Sequence, residues 1–365
     1  MNVSLLHPLL KEPVHATDGI RGIEKPLALM NSIEEDPAPL MRLANRHIVS
    51  IRQFSYETIL QLFRLAAMYE TQPVPLHRPL GGKLLISAFY EPSTRTRISF
   101  ESAWHRLGGD IMSITDRATT GMAKGESLKD IAEMFSNYGD VMVLRDNHNE
   151  AVYEMLPSLR IPIINAGNGI DEHPTQAMAD LYTILKWRPD LVSEATVNHK
   201  IKIGIIGTPA RMRTVRSLLL ILTLFHYAID EVVVINPDKD IFDKGQLTEL
   251  EQSGLKIRQV HALRENISDL DVVYINSIAW IGDSFERLAD DMKLSIDLPL
   301  KPGSIVLHPL ARGDELSEDL DSTPYNWYFA QARGAVFLRM ALLTCLVRRV
   351  GEVIDDRTFE NGSSL

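Results

Sequence analysis

The chain's hydrophobic pattern changes period again and again, and it does so in two blocks separated by a polar gap. Short apolar runs of strand length alternate with segments whose apolar residues recur at helical spacing. In the first block, residues 83–90 read as a strand. Residues 94–107 read as a helix, with Phe100, Ala103, Trp104 and Leu107 on one face and Gly108-Gly109 as its stop. Strand patterns follow at 111–115, 141–144 and 161–164, alternating with helix patterns at 127–138, 150–159 and 175–187. Residues 187–200 are polar, contain Pro189 and read as a linker. The second block has strands at 201–206, 231–235, near Ile257, 272–275 and 305–307, with helices at 214–225 and 244–252. A last helix is expected over about 327–350.

This alternation predicts an α/β fold of two domains, each a parallel sheet flanked by helices. Ligands of such sheets sit beyond the carboxyl ends of the strands, so the active site is expected in the cleft between the domains. The boundaries read as an N-terminal extension over 1–44, a first domain over 45–187 and a second over 188–326. Residues 327–351 form a C-terminal helix packing back on the first domain. The extension carries scattered Pro, Gly and charge without a sustained period, which places it outside the core fold.

Composition narrows the function classes. The net charge of −10 argues against a nucleic-acid surface, though a local basic pocket remains compatible with phosphate. The single cysteine, Cys345, lies in an apolar run, cannot form an internal disulfide and reads as a core residue of a reduced, cytoplasmic protein. No purely apolar run reaches the roughly 18 residues of a membrane span. The nearest, 217–229, is interrupted by His226. Acidic Glu34-Glu35-Asp36 is unlike a transit peptide, so a soluble chain with no membrane partner is expected.

The string Phe89-Tyr90-Glu91-Pro92-Ser93-Thr94-Arg95-Thr96-Arg97 lies between an apolar strand and an amphipathic helix. Unsatisfied N–H groups at a helix start favour an anion. Ser93, Thr94 and Thr96 add hydroxyl donors, and Arg95 adds a planar fork that matches phosphate oxygens. The plainer account, Ser93 as a cap with solvated arginines, fits a generic Ser-Thr-Arg tract better than this context.

With that string, residues 46–350 resemble the aspartate and ornithine carbamoyltransferases, whose phosphate loop reads S-T-R-T-R in the same place. Three further landmarks keep the family's order: His173-Pro174-Thr175-Gln176, His308-Pro309-Leu310, and Thr120 with Lys124 before Gly125-Glu126-Ser127-Leu128. The resemblance implies a carbamoyl-phosphate-binding first domain and an amino-acid-binding second domain. It implies that Ser93, Thr94, Arg95 and Thr96 hold the phosphate, with Thr120, Arg145 and a neighbouring chain's Lys124. Arg95, Thr96, Arg145 and His173 become the catalytic set that polarises the carbonyl oxygen. Gln176 and the Leu310 carbonyl bind the carbamoyl NH2. The family also implies a homotrimer with shared sites and neither metal nor organic cofactor.

For the acceptor, the resemblance points to Arg213, Asn276, Ser277, Trp280, Pro309 and Leu310. Aspartate enzymes carry a gripping Arg and Gln where this chain has Ser277 and Ala279, and neither residue here can neutralise a carboxylate. The 276–282 segment is nearer the ornithine enzymes in length, whereas His308-Pro309-Leu310-Ala311 sides with the aspartate type except at Ala311. On those two neutral positions the expected acceptor is an amino acid other than, or in addition to, aspartate, for example a short diamino acid. The alternatives are aspartate itself, as in pyrimidine biosynthesis, and a catalytically silent partner subunit. A nicotinamide dehydrogenase is excluded, because Gly204-Ile205-Ile206-Gly207 lacks the full glycine fingerprint.

Overall fold

A computed structural model of the chain describes residues 21–72, 78–276, 279–281, 284–286, 292–347 and 349–354. Two parallel sheets stand side by side. The first has strands β1 (Leu84–Phe89), β2 (Asp110–Ile114), β3 (Val141–Asp146) and β4 (Ile163–Asn168), in the order β2-β1-β3-β4. Its helices are α3 (Tyr56–Thr71), α4 (Thr94–Arg106), α5 (Leu128–Tyr138), α6 (Ala151–Met155) and α7 (Pro174–Trp187). The second sheet has strands β5 (Ile201–Ile206), β6 (Ile229–Ile235), β7 (Ile257–Val260), β8 (Val272–Ile275) and β11 (Ile305–Leu307), in the order β11-β8-β5-β6-β7. Helices α8 (Arg213–Leu222), α9 (Gln246–Gln252) and α10 (Leu263–Asn266) accompany it. Strands β9 (Ala279–Ile281) and β10 (Ser284–Glu286) form an antiparallel hairpin. The α/β class read from the sequence, two parallel sheets flanked by helices, is therefore the observed one.

Several boundaries differ from the sequence reading, each for a local reason. Strand β4 runs to Asn168 rather than stopping at Ile164, and its last residues are fully buried although polar. Asn165 satisfies itself there by donating to the Val49 and Glu172 carbonyls at 3.0 and 3.3 Å and by accepting from Gly167 N at 2.8 Å. The expected 150–159 helix ends at Met155, before Leu156-Pro157-Ser158, since proline cannot continue the ladder. The expected 214–225 helix ends at Leu222, with a kink at Phe225.

The N-terminal segment needs a larger correction. Helices α1 (Lys25–Ser32) and α2 (Ala38–Met41) pack on α3, and α1 also meets α7. Leu29, Ile33 and Leu40 lie buried in the same apolar cluster as Ile59, Leu62 and Leu181. Residues 21–44 are thus part of the core, not an extension beyond it. Prolines at 26, 37 and 39 stand at the starts of these helices, which are too short for a period to emerge in the sequence.

The last helix, α11 (Tyr328–Leu346), returns to the first sheet and packs on α3, α4 and α7. It is mostly apolar because it is mostly enclosed, with Leu338, Met340, Leu342 and Cys345 among its buried residues. It amends the sequence reading of membrane spans. Its 19 residues are long and apolar enough to cross a membrane, yet 78% of its most apolar window is buried inside the molecule. Where α3, α7 and α11 meet, Lys186 Nζ bonds the Glu70 carboxylate at 2.9 Å and the Tyr182 hydroxyl donates to it at 2.8 Å. Both charges are almost wholly enclosed, so each needs the other.

Candidate functional site

The two sheets place four carboxyl-end loops against one another. The first follows β1 and opens α4 at Ser93. The Ser93 hydroxyl makes no capping bond, which leaves the N–H groups of the first turn for a ligand. Thr96 is buried one turn in. The neighbouring Arg97 is turned away toward Glu101, at 3.2 Å, and Glu101 in turn accepts from Ser87 and Ser113. The two arginines of the motif therefore split: Arg95 faces the cleft and Arg97 braces the sheet.

Glu91, quoted in the motif but given no role by the sequence, is the centre of the next cluster. Its carboxylate accepts from Arg145 Nη2 at 2.7 Å and from both terminal nitrogens of Arg213 at 2.9 and 3.0 Å. Arg145 stands near the end of β3, whereas Arg213 opens α8 in the second half. Glu91, which also holds Arg145 within the first half, thus ties the halves together through Arg213. Burial pushes its carboxyl up, but the bonds and charges of Arg213 and Arg145 outweigh burial and hold it below the usual range. Burial and the charges of Arg213 and Arg95 bring Arg145 down to about 10, against the pull of Glu91. Gly167 makes room: its φ is +109°, and a Cβ there would lie 3.0 Å from Arg213 Nε and 3.3 Å from Arg145 Nη1.

His173 caps α7 and is buried, with neither ring nitrogen bonded. Its backbone N–H donates to Ser217 Oγ on α8 at 3.0 Å. The preceding Glu172 accepts from the Ser50 hydroxyl at 2.5 Å and from Ile51 N at 2.9 Å. Burial and the nearby Arg145, Arg213 and Arg339 push the imidazole pKa well below its ordinary value, so the ring is neutral at physiological pH. A neutral ring with an unspent N–H is a donor for an oxygen on which negative charge develops. An unpartnered buried polar group of this kind marks a place where a ligand completes the bonding.

From the second half comes His308-Pro309-Leu310, after β11. His308 Nδ1 accepts from Leu310 N at 2.7 Å, which leaves the proton on Nε2, directed at Glu315 Oε1 at 2.9 Å. Leu310 is held at φ +50°, a strained conformation for a residue with a branched side chain. Around this loop lies a small cavity of about 40 Å³ lined by Arg95, Thr96, Ser99, Gln176, His308, Pro309, Gln331 and Arg339. Five residues singled out by motif therefore border one space: Arg95, Thr96, Gln176, His308 and Pro309.

Other expected residues lie elsewhere. Thr120 and Lys124 are on a loop outside the cavity lining, and Lys124 is exposed. Arg117 ties that loop to the end of β3 through Asp146 and sits 5.4 Å over the Tyr90 ring. Asn276, at the end of β8, donates to Thr214 Oγ1 at 2.9 Å. Ser277 lies outside the described residues, and Trp280 pairs through its backbone with Phe285. The sequence reading missed Glu91, Glu315, Gln331 and Asp180. A lone carboxylate inside a cationic motif was the only local signal, and it pointed to Glu91 alone.

Comparison with known proteins gives a concordant picture. Residues 46–186 match the family model described as the carbamoyl-P binding domain of aspartate/ornithine carbamoyltransferase, and residues 199–346 match its Asp/Orn binding domain. The aspartate carbamoyltransferase catalytic subunit of Methanopyrus kandleri is 36% identical over 315 residues, covering 83% of this chain and 98% of its own. That of Pyrobaculum islandicum is 37% identical over 309 residues, with the same coverage. Among solved structures, aspartate transcarbamoylase from Trypanosoma cruzi in complex with N-(phosphonacetyl)-L-aspartic acid superposes with a TM-score of 0.74 at 33% identity, over 86% of this chain and 99% of that one. The same enzyme with carbamoyl phosphate and aspartate gives 0.73 at 31% identity, over 86% and 100%.

Proposed function

The chain belongs to the aspartate/ornithine carbamoyltransferase family, and from that premise we propose that this carbamoyltransferase uses aspartate as its acceptor. The expectation of a different acceptor, such as a short diamino acid, is overturned. Relatives 32–37% identical over most of the chain are aspartate carbamoyltransferase catalytic subunits. The error was to let Ser277 and Ala279 decide. A carboxylate needs a cation within reach, not a cation at one particular place in the sequence. The observation that carries the reading is this run of aspartate-type relatives, and the Arg145–Glu91–Arg213 bridge, with one cation from each half at the cleft, is compatible with it.

In this reading the neutral amine nitrogen of aspartate bonds to the carbonyl carbon of carbamoyl phosphate, the bond from that carbon to the phosphate oxygen breaks, and the amine's proton leaves with the phosphate. The α4 N-terminus, Ser93, Thr94, Arg95 and Thr96 bind the phosphate and receive the growing charge of the leaving group. Arg145 and the His173 N–H face the carbonyl oxygen as the tetrahedral centre forms. Gln176 and the Leu310 carbonyl accept from the NH2, and Arg213, Asn276, Pro309 and Leu310 border the aspartate. Lys124 and Thr120, outside the cavity of their own chain, reach a neighbour's site in a homotrimer. Orientation of two bound reactants supplies much of the acceleration.

The test is purified protein with carbamoyl phosphate and a panel of amino acids, reading phosphate release and the carbamoylated product. Aspartate is expected to give a kcat/KM at least about tenfold above ornithine and 2,3-diaminopropionate. Equal or lower turnover of aspartate overturns the reading. For the shared site, mixed Arg95→Ala and Lys124→Ala chains are expected to regain activity that neither shows alone. No recovery after dissociation and remixing would sink the trimer.

A further inference from the structure

Beneath the cavity lies a set of bonds that the proposed reaction does not call on. Asp180 is one turn after Gln176 on α7, and it is fully buried. Its Oδ1 accepts from Gln176 Nε2 at 2.6 Å and from Gln331 Nε2, on α11, at 2.5 Å. Gln331 Oε1 in turn accepts from His308 N at 2.9 Å. Since a backbone N–H can only donate and Oδ1 of a carboxylate can only accept, the Gln331 amide has one permitted orientation. The same argument fixes Gln176: its NH2 is committed to Asp180, so its oxygen is the end left for the cavity.

We propose that Asp180 is a positioning residue that selects the carbamoyl NH2 of the donor substrate by holding the Gln176 oxygen toward it. An acceptor at that place bonds an NH2 group, and a reversed amide would set two donors face to face. The inference rests on carbamoyl phosphate being the donor substrate. Through Gln331, Asp180 also fastens the His308-Pro309-Leu310 loop, whose Leu310 carbonyl is the second acceptor for the same NH2. One carboxylate thereby orients both acceptors, from α7 and from the loop after β11.

The charged and titratable groups facing Asp180 are Arg339 on α11 and Tyr274 on β8. Burial pushes its carboxyl up to about 7, against the pull of the Gln176 and Gln331 amides, Tyr274 and Arg339. The ionised form, which accepts both amides, therefore prevails above that pH.

The experiment compares carbamoyl phosphate with acetyl phosphate, which keeps the phosphate and the carbonyl but has a methyl in place of NH2. The readout is the inhibition constant of acetyl phosphate divided by the KM of carbamoyl phosphate. In Asp180→Asn the new amide can turn an NH2 toward the Gln176 and Gln331 amides, so Gln176 loses its fixed sense. The ratio is expected to fall about tenfold, the worth of one such hydrogen bond, with acetyl phosphate inhibition nearly unchanged. In a Gln176→Leu background the same substitution is expected to lower the ratio by much less, since only the Leu310 carbonyl is then left for Asp180 to orient. Equal weakening of both ligands, or an unchanged ratio, overturns the inference. Should Asp180→Asn fail to fold, the wild-type ratio is read from about pH 6 to about pH 8.5. It is expected to fall on the acid side of the Asp180 pKa, because phosphate ionisation is common to both ligands and His173 stays neutral. A flat ratio then overturns the inference. Wild-type protein that does not turn over carbamoyl phosphate would remove the functional reading itself, and this inference with it.

Discussion

Replacing Glu91 with glutamine keeps the shape of the side chain and removes the charge that two arginines share. Three charge-assisted bonds of 2.7–3.0 Å are weakened together, and the partners are only 12–14% exposed. Bonds to charged groups contribute about 1.5–3 kcal/mol each, the lower end applying where water has some access. Two of the three go to one guanidinium and are not independent, so about 3–4 kcal/mol is at stake. Without the carboxylate, Arg145 and Arg213 repel each other and each turns toward solvent. If most of that free energy holds them in reactive positions, kcat/KM falls by about two to three powers of ten, at 1.36 kcal/mol per decade. The assay is steady-state carbamoylation with each substrate varied in turn, beside urea melts to separate folding from catalysis. Because Glu91 joins the two halves, saturation by the acceptor is expected to suffer along with the chemical step. A Glu91→Gln enzyme within threefold of wild type in kcat/KM would refute the argument. So would a loss of stability with catalysis intact.

Gly167→Ala is expected to lower activity by about ten- to a hundredfold while far-ultraviolet circular dichroism stays native, because its Cβ would crowd Arg213 and Arg145 at a φ that disfavours alanine. Lys186→Met leaves Glu70 charged and enclosed, and denaturant unfolding is expected to show a loss of about 3–5 kcal/mol, most of it regained in Lys186→Met/Glu70→Leu. Leu29→Ala is expected to cost about 2–5 kcal/mol in the same experiment, a value typical of a core position and far from that of a dispensable arm.

How much of this was legible in the sequence depended on where each signal resides. Strands β5, β8 and β11 have the residue limits read from pattern, since strands buried on both faces are continuous apolar runs. Strand β4 was cut short at Ile164 because Asn165 and Asn168 look like loop residues. Only their cross-bonding, invisible to local pattern, lets them sit in the sheet. The phosphate loop and the cavity residues Arg95, Thr96 and Gln176 were legible because a helix start and a motif are local. Glu91 and Asp180 were not, since the partners that give them meaning lie 122 and 151 positions away. The acceptor was not legible in two neutral positions, Ser277 and Ala279, although Arg213 was; likeness over most of the chain to aspartate-type relatives overrides that short segment.

The return of α11 sets the order in which the chain matures during synthesis. The Tyr69 hydroxyl and Thr344 Oγ1 are hydrogen bonded at 2.9 Å across 275 positions, inside the cluster that covers the first sheet. Domains ordinarily fold as they emerge from the ribosome, the N-terminal one first. Here the first half emerges early but lacks the helix that seals α3, α4 and α7, and it must wait for almost the whole of the second half to be translated. During that interval its apolar helix faces are exposed to chaperones and proteases. A message truncated before Tyr328 would therefore yield no usable half-enzyme, only a chain whose first core has no lid.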